Sequence, residues 1–210
     1  AIGYKSTTNE NRPGMGMFSV SAIAIGEEAS TDNGSSNQYT REAIALGAKA
    51  KAFGDQSVAI GGDTKAFGDS SIAIGGDDIN KIRIQYGNLF NSITGQNLPG
   101  GYPSTESSGA GAIAIGVMTT ARGHFASALG MAADASGNGA VAIGPTAKSS
   151  GEAGVAIGIA SQASAKKTIA IGSIATATGE NATAMGYQSK ASGIASNAIG
   201  NSSLAEGNFS

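Results

Sequence analysis

The chain has 210 residues and a net charge of −2, and it contains 33 Gly, 13% charged residues, 5% aromatic residues and no Cys or Trp. The lack of a basic excess excludes nucleic acid as a partner, and the lack of Cys excludes a disulfide framework and thiolate metal sites. No apolar run approaches the ~18 residues of a membrane helix, so we expect this part of the protein to make no membrane contact.

Glycine recurs in register along the chain, whereas a flexible linker needs no register. A short apolar phrase, typically V-A-I-G, closes on glycine at twelve places: Gly3, Gly26, Gly47, Gly61, Gly75, Gly116, Gly130, Gly144, Gly158, Gly172, Gly186 and Gly200. The step is 14 residues from Gly47 to Gly75 and again from Gly116 to Gly200. Steps of 23, 21 and 41 residues elsewhere predict insertions within 4–18, 30–40 and 76–108.

Each period predicts two short strands and two tight turns. A second glycine follows the first by seven residues in most copies, and glycine suits a turn because it permits positive φ or close backbone approach. In "AKAKAFG", residues 48–54, Lys49 and Lys51 alternate with alanines, which predicts a strand with a buried small face and a wet face. The predicted turn glycines include Gly61, Gly75, Gly130, Gly144, Gly158 and Gly172.

The V-A-I-G strand is apolar on both faces in nearly every period. Such a strand should be buried on both faces, and one coil supplies only one partner strand. No other segment is long enough to cover twelve such strands, so we infer a solenoid that oligomerises along its length. Whether the Val/Ile or the Ala face meets the partner chain is left open. The residues assigned to core or oligomer packing are Ala59, Ile60, Ala142, Ile143, Ala156, Ile157, Ala170 and Ile171.

The insertion within 76–108 is the place where the chain leaves its period and gains aromatic residues. Ile82, Ile84 and Tyr86 alternate with polar residues, which predicts a short strand. The insertion either folds back on the rod and braces a neighbouring subunit or forms a contact site for a partner. Because Arg and aromatic side chains dominate binding hot spots, the candidate contact residues here are Arg83, Tyr86, Phe90 and Tyr102. The second candidate surface is the outward strand that carries Lys49, Lys51 and Lys65.

The phrases "SVAIGG" at 57–62, "AVAIGP" at 140–145 and "GVAIGI" at 154–159 carry a family resemblance. At a 14-residue period they resemble the N-S-V-A-I-G head repeats of trimeric autotransporter adhesins, the YadA-like family, including the ubiquitous-surface-protein type. The resemblance covers nearly the whole chain outside the insertions. The Asn of the motif is replaced in most copies, by Gln56 or Gly139 for example.

The resemblance implies one all-β head domain over 1–210, a left-handed parallel β-roll with 14-residue coils that is a homotrimer. It also implies a non-enzymatic adhesin on the surface of a Gram-negative bacterium, anchored in the outer membrane by a C-terminal region outside this sequence. The implied partners are host extracellular matrix proteins of the fibronectin, laminin or collagen type, or a host-cell receptor. Because the chain starts and stops within coils, we expect it to be a fragment of a longer protein. The alternative function is a rigid spacer of a surface fibre.

Catalytic chemistry has little support in the sequence. His124 is the sole histidine and stands beside Gly123 at a turn, where a solvated loop role is the ordinary one. A hexapeptide-repeat acyltransferase needs a period divisible by six, and 14 is not. "GGDT" at 61–64 and "GGDD" at 75–78 are only fragments of a calcium-binding nonapeptide. We therefore predict no catalytic residue, no metal site and no cofactor.

Overall fold

The computed structural model of the chain describes residues 1–8, 21–32 and 42–210. In these ranges the chain winds as a parallel β-solenoid, and each 14-residue coil adds one strand to each of two sheets. The predicted solenoid and its coil length are confirmed, while the left-handed winding stays a prediction. The insertions predicted within 4–18 and 30–40 fall mostly on 9–20 and 33–41, outside the described residues.

Sheet A is built from the V-A-I-G phrases and sheet B from the strand that follows in each coil. In the described residues the strands of sheet A are β1 (Ile23–Ile25), β2 (Ile44–Leu46), β4 (Val58–Ile60), β6 (Ile72–Gly76), β8 (Ile113–Val117), β10 (Ser127–Leu129), β12 (Val141–Ile143), β14 (Val155–Ile157), β16 (Ile169–Ile171), β18 (Thr183–Met185) and β20 (Asn197–Ile199). Those of sheet B are β3 (Lys51–Ala52), β5 (Lys65–Ala66), β7 (Glu106–Ser107), β9 (Thr120–Ala121), β11 (Asp134–Ala135), β13 (Lys148–Ser149), β15 (Gln162–Ala163), β17 (Thr176–Ala177), β19 (Lys190–Ala191) and β21 (Leu204–Ala205).

Strands of neighbouring coils pair at residues that are one sequence period apart. Val141 pairs with Val155, Ala142 with Ala156 and Ile143 with Ile157, and the other pairs of neighbouring coils follow the same pattern. Backbone hydrogen bonds therefore run along the rod, and each coil depends on its neighbours for its backbone partners.

The core between the sheets consists of small side chains. Ala142 and Ala156 of sheet A and Ala135 and Ala163 of sheet B are fully buried inside their own coils. The Ala face of V-A-I-G therefore points into the roll, and the Val/Ile face points outward. This answers the question of orientation that the sequence left open.

Glycine is required where successive coils touch. At Gly144, φ is +127°, and an added Cβ would lie 2.7 Å from the carbonyl oxygen of Gly158 in the next coil. Gly61, Gly130, Gly158 and Gly172 also have positive φ and the same close approach. Gly75 has the close approach without the positive φ, and β6 continues through it to Gly76.

The insertion contains a helix, not the predicted strand. Helix α1 spans Asn80–Thr94, and Gly95 ends it in the left-handed region, where its N–H donates to the carbonyl of Asn91. The strand prediction for Ile82, Ile84 and Tyr86 was wrong because the alternation lasts only five residues. A longer helical pattern overrides it, with Ile82, Tyr86, Leu89 and Ile93 spaced as i, i+4, i+7 and i+11.

The chain returns to the roll at Thr105, whose buried side chain occupies the place of Thr64 in an uninterrupted coil. Its hydroxyl donates to the carbonyl oxygens of Gly76, at 2.8 Å, and Gly116, at 2.6 Å. In the sequence, Asp77 corresponds to Asp63 of the phrase "GGDT". The insertion proper is therefore residues 78–104.

Candidate interaction surfaces

The outer face of sheet A is a strip of mainly Val, Ile and Leu side chains, interrupted by Ser127, Thr183 and Asn197, that the chain itself leaves partly uncovered. Ile25 is 37% exposed, Leu46 is 41%, Leu129 is 48% and Ile143 is 36%. The other predicted packing residues divide in the same way: Ala59 and Ala170 are fully buried, whereas Ile60, Ile157 and Ile171 are half-buried. A continuous exposed apolar strip of this kind marks an interaction surface.

The outer face of sheet B is polar along most of its length. The residues at this position in successive described coils are Lys51, Lys65, Glu106, Thr120, Asp134, Lys148, Gln162, Thr176, Lys190 and Leu204. Neighbouring coils are joined across this face by an Arg122–Asp134 ion pair at 3.6 Å and a hydrogen bond from Thr120 to Asp134 at 3.1 Å. Such exposed pairs contribute little stability, so this face is held mainly by its backbone ladder.

A basic and aromatic patch stands at one end of sheet B, and we call Lys51, Phe53, Lys65 and Phe67 the Lys/Phe patch. Lys51 and Lys65 are direct register partners on adjacent strands. Two residues further along each chain segment, the rings of Phe53 and Phe67 stack at 5.4 Å with an interplanar angle of 14°. Lys49 lies in the preceding turn, in the left-handed region at φ 58°. The patch therefore joins two cations to a stacked aromatic surface.

The two phenylalanines of this patch were missed by the sequence reasoning, although a signal was present. The phrase "KAFGD" occurs at 51–55 and again at 65–69, one period later. Identical side chains one period apart occupy adjacent rungs of a solenoid, so the repeat predicts a stacked pair.

The four candidates in the insertion do not form one exposed cluster. Phe90 is 8% exposed and packs within its own chain, which removes it from any contact surface. The guanidinium of Arg83 donates to Oδ1 of Asn80 at 3.2 Å and lies beside Gly100, so it holds the insertion together. Tyr86 and Tyr102 are 49% and 63% exposed and remain available for a contact.

His124 belongs to a structural ladder in the second turn of the coil. Its ring Nδ1 accepts a hydrogen bond from the backbone N–H of Ala110 at 3.1 Å. The backbone N–H of His124 donates to Oδ1 of Asn138 at 3.0 Å. Asp69 accepts from the N–H of Asp55 in the same way. The side chain here supplies the partner of an N–H in the preceding coil.

A cleft of about 400 Å³ lies between the segment after α1 and the roll. Gln96, Pro99 and Pro103 line one side, and Met118 and Lys148 belong to the other. The carboxylate of its wall, Asp134, is already held by its partners on sheet B. Among the described residues that line the cleft, Asp134 is the one that carries a carboxylate.

Within residues 1–8, 21–32 and 42–210, His, Asp and Glu side chains form no group of three or more that could hold a metal ion. In the same part of the chain, no helix has the length and apolarity needed to cross a membrane.

The sequence matches the YadA head domain repeat (2 copies) at residues 41–64, 54–77, 107–133, 135–161 and 149–175. Together these segments cover half of the chain. Comparison with curated protein sequences gives no significant match.

Among solved structures, the chain is similar to the collagen-binding domain of the Yersinia adhesin YadA, with 26% identity and a TM-score of 0.52. The similarity covers 87% of this chain and 82% of the Yersinia domain. YadA-like heads are non-enzymatic, surface-exposed parts of autotransporter adhesins. The repeat, the two-sheet solenoid and the uncovered outer strip agree with this class, and the chain belongs to the family of YadA-like adhesin heads.

Proposed function

We propose that this chain is the head of a homotrimeric surface adhesin that attaches to host extracellular matrix, with a collagen-type protein as its target. The observation that carries the proposal is the contrast between the outer faces of the two sheets. The strip on sheet A suits assembly, and sheet B carries the Lys/Phe patch, whose four side chains are half-buried and partly accessible to a partner.

Trimerisation through sheet A follows from the thinness of the core. The interior of each coil is filled by Ala, Ser and Thr, so a single chain buries few large side chains. Its larger apolar side chains on sheet A stay partly in water until another chain covers them. Burying such surface stabilises by ~25 cal/mol per Å², which makes assembly the main remaining source of stability. A closed ring of three copies around one axis covers all three strips at once.

Attachment to a collagen-type protein is supported by the Yersinia relative, which is described as collagen-binding. A collagen triple helix presents extended chains rich in proline, on which aromatic rings pack well. The stacked Phe53 and Phe67 offer such a surface, and Lys51 and Lys65 suit acidic side chains of the same target. Three copies of the patch on one trimer bind by avidity, so weak contacts add up.

The proposal also includes a location for the protein in the cell. The head stands at the surface of a Gram-negative bacterium, carried on a chain whose C-terminal region is anchored in the outer membrane. Host fibronectin, laminin or a cell-surface receptor is the alternative target class, and a spacer without binding activity is the alternative function.

The test measures binding of the purified chain to immobilised collagen, fibronectin and laminin. We expect the double variant Phe53→Ser, Phe67→Ser and the double variant Lys51→Glu, Lys65→Glu each to lose at least about tenfold in apparent affinity for collagen. The matched control is Lys148→Glu with Lys190→Glu on the same face of sheet B, which should retain binding. Sedimentation of each variant measures whether it is still a trimer, so that a loss of binding is not a loss of assembly.

Retention of collagen binding in both patch variants would move the contact surface elsewhere, beginning with Tyr102. Absence of binding to all three matrix proteins by a stable trimer would favour the spacer.

A further inference from the structure

Helix α1 carries more apolar surface than its own chain covers. Ile79 and Phe90 are buried against the same chain. Beside them runs a second row, which we call the helix stripe: Ile82, Tyr86, Leu89 and Ile93, with exposures of 39%, 49%, 58% and 40%. Their spacing places all four side chains on one side of the helix. The helix is thus apolar over a broad arc, and only part of that arc has a partner.

We propose that the helix stripe docks on the neighbouring copy of the chain and braces the trimer, with Phe125 of that copy at the centre of the contact. The inference rests on the trimer proposed above and adds a second, separate contact to it.

The first argument is where the helix leaves the roll. Most strands of sheet A stop before the closing glycine, but β6 continues to Gly76 and pairs with Val117 of β8. The chain therefore departs along the direction of sheet A, and only three residues separate β6 from Asn80. The helix begins at the carboxyl-end edge of the strip that faces the trimer axis.

The second argument is symmetry. When three sheets face one axis and their strands run around it, the carboxyl end of each strand meets the amino end of a strand in the next copy. The amino end of a sheet A strand follows the second turn of the coil. A segment that leaves at Gly76 therefore faces the second turns of its neighbour, at a similar height along the rod.

The third argument is the side chain found at that place. Phe125 lies in the second turn that precedes β10, in the left-handed region at φ 58°, and is 76% exposed. Its ring folds over Gly111 of the preceding coil, where a Cβ would lie 3.2 Å from its Cδ1. Gly111 precedes β8, the strand that pairs with the extended β6. A large exposed aromatic residue thus stands within two coils of the point where the chain leaves the roll at the end of β6, on the edge of the sheet that the neighbour's departing segment meets.

The size of the stripe also favours a second copy over a free partner. Four half-exposed side chains present a few hundred square ångströms, whereas a stable complex buries about 800 Å² on each partner. The stripe cannot hold a free protein alone. A copy already held through the long strip on sheet A needs no such area.

Disulfide trapping tests the contact cleanly because the chain has no cysteine. We expect the double variant Leu89→Cys, Phe125→Cys to oxidise to a covalently linked trimer on a non-reducing gel. The matched control is Ile84→Cys with Phe125→Cys, since Ile84 is 82% exposed and lies off the stripe. This control should stay non-covalent under the same mild oxidant.

Mixed trimers show whether the bond joins two copies. Chains with Leu89→Cys alone are refolded together with chains that carry Phe125→Cys alone, and covalent dimers are the expected product. A disulfide formed only within one chain, or equal cross-linking of the Ile84 control, would overturn the proposal. Sedimentation of the unmodified chain separates the two claims: a trimer without the 89–125 cross-link refutes the brace alone, and a monomer refutes the trimer itself.

A second measurement does not depend on cysteine chemistry. Replacing Leu89 and Ile93 with Ser should raise the concentration at which the trimer dissociates by about tenfold or more, whereas Ile84→Ser should leave it unchanged. If the stripe variant instead loses matrix binding while dissociation and cross-linking stay normal, the stripe serves an external partner and the brace is refuted.

Discussion

Sheets A and B have the same interior and opposite exteriors. Both present Ala or another small residue to the core in every coil, because the two sheets of a narrow roll leave no room for more. Outside, sheet A carries mainly Val, Ile and Leu, whereas sheet B carries mainly Lys, Thr, Asp and Gln. The interior side chains therefore determine how each coil folds, and the exterior side chains determine which molecules the rod binds. Substitutions at register-matched positions can separate the two roles.

The largest expected effect comes from charge in the shared interior. Replacing Ala142 and Ala156 with Glu places two carboxylates in a dry layer and should cost ~4 kcal/mol or more at each site. That loss approaches the whole stability of an ordinary domain, so we expect the β-rich circular dichroism spectrum to disappear. Lys148→Glu with Gln162→Glu, on adjacent rungs of sheet B but facing outward, is the control that should fold. Normal folding of the Ala142→Glu, Ala156→Glu variant would show that water reaches these two positions although the structure buries them.

The next effect concerns the exterior of sheet A. Replacing Ile143 and Ile157 with Ser removes two rungs of the strip and should cost ~1 kcal/mol or more per side chain, in all three copies. Because the interior is untouched, we expect the chain to keep its β-rich spectrum while sedimentation shows a shift from trimer to monomer. Lys148→Ser with Gln162→Ser, the corresponding rungs of sheet B, should leave the trimer intact. If the sheet B variant dissociated and the sheet A variant did not, the trimer interface would lie on sheet B and the proposed interface would be wrong.

Removing the insertion after β6 compares the rod with and without the segment that carries α1. Deletion of 78–104 joins Asp77 to Thr105 and restores the phrase "GGDT" of the uninterrupted coil. A deletion of 80–106 keeps the same glycine spacing but would put Asp78 in the buried place of Thr105. We expect the 78–104 deletion to fold as a trimer that dissociates more readily, measured by sedimentation over a range of concentrations. Failure of this variant to fold would show that α1 is part of the core.

The sequence was sufficient for the solenoid because a 14-residue period specifies register, strand count and turn positions together. It did not specify which face of V-A-I-G points inward, since both faces are apolar and only the width of the closed coil decides. It also did not reveal that residues 78–104 interrupt one "GGDT" phrase, because Asp77 and Thr105 are 28 residues apart in the chain. Of the candidate contact residues, exposure separates Tyr86 and Tyr102 from the buried Phe90, and no pattern in the sequence carries that distinction.

The smallest expected effect comes from removing a single buried hydroxyl group on the inner face of sheet B. Ser149 and Ser107 occupy the same inward position, where Ala135 and Ala163 stand in the coils on either side of Ser149. Oγ of Ser107 donates to the carbonyl of Ala112 at 2.9 Å, whereas Oγ of Ser149 is buried without a partner. Ser149→Ala removes an unsatisfied hydroxyl and should stabilise the chain by about 1 kcal/mol, which raises the melting temperature by about 2–4 °C.

Ser107→Ala is the matched comparison, and it should instead destabilise the chain by about 1 kcal/mol, because it removes a buried hydrogen bond and leaves the alanine carbonyl without that donor. Both variants keep the outer faces unchanged, so neither should alter assembly, and their melting curves are compared at equal chain concentration. Shifts of the same sign would show that the two hydroxyls have equivalent surroundings and that the interior of sheet B is uniform.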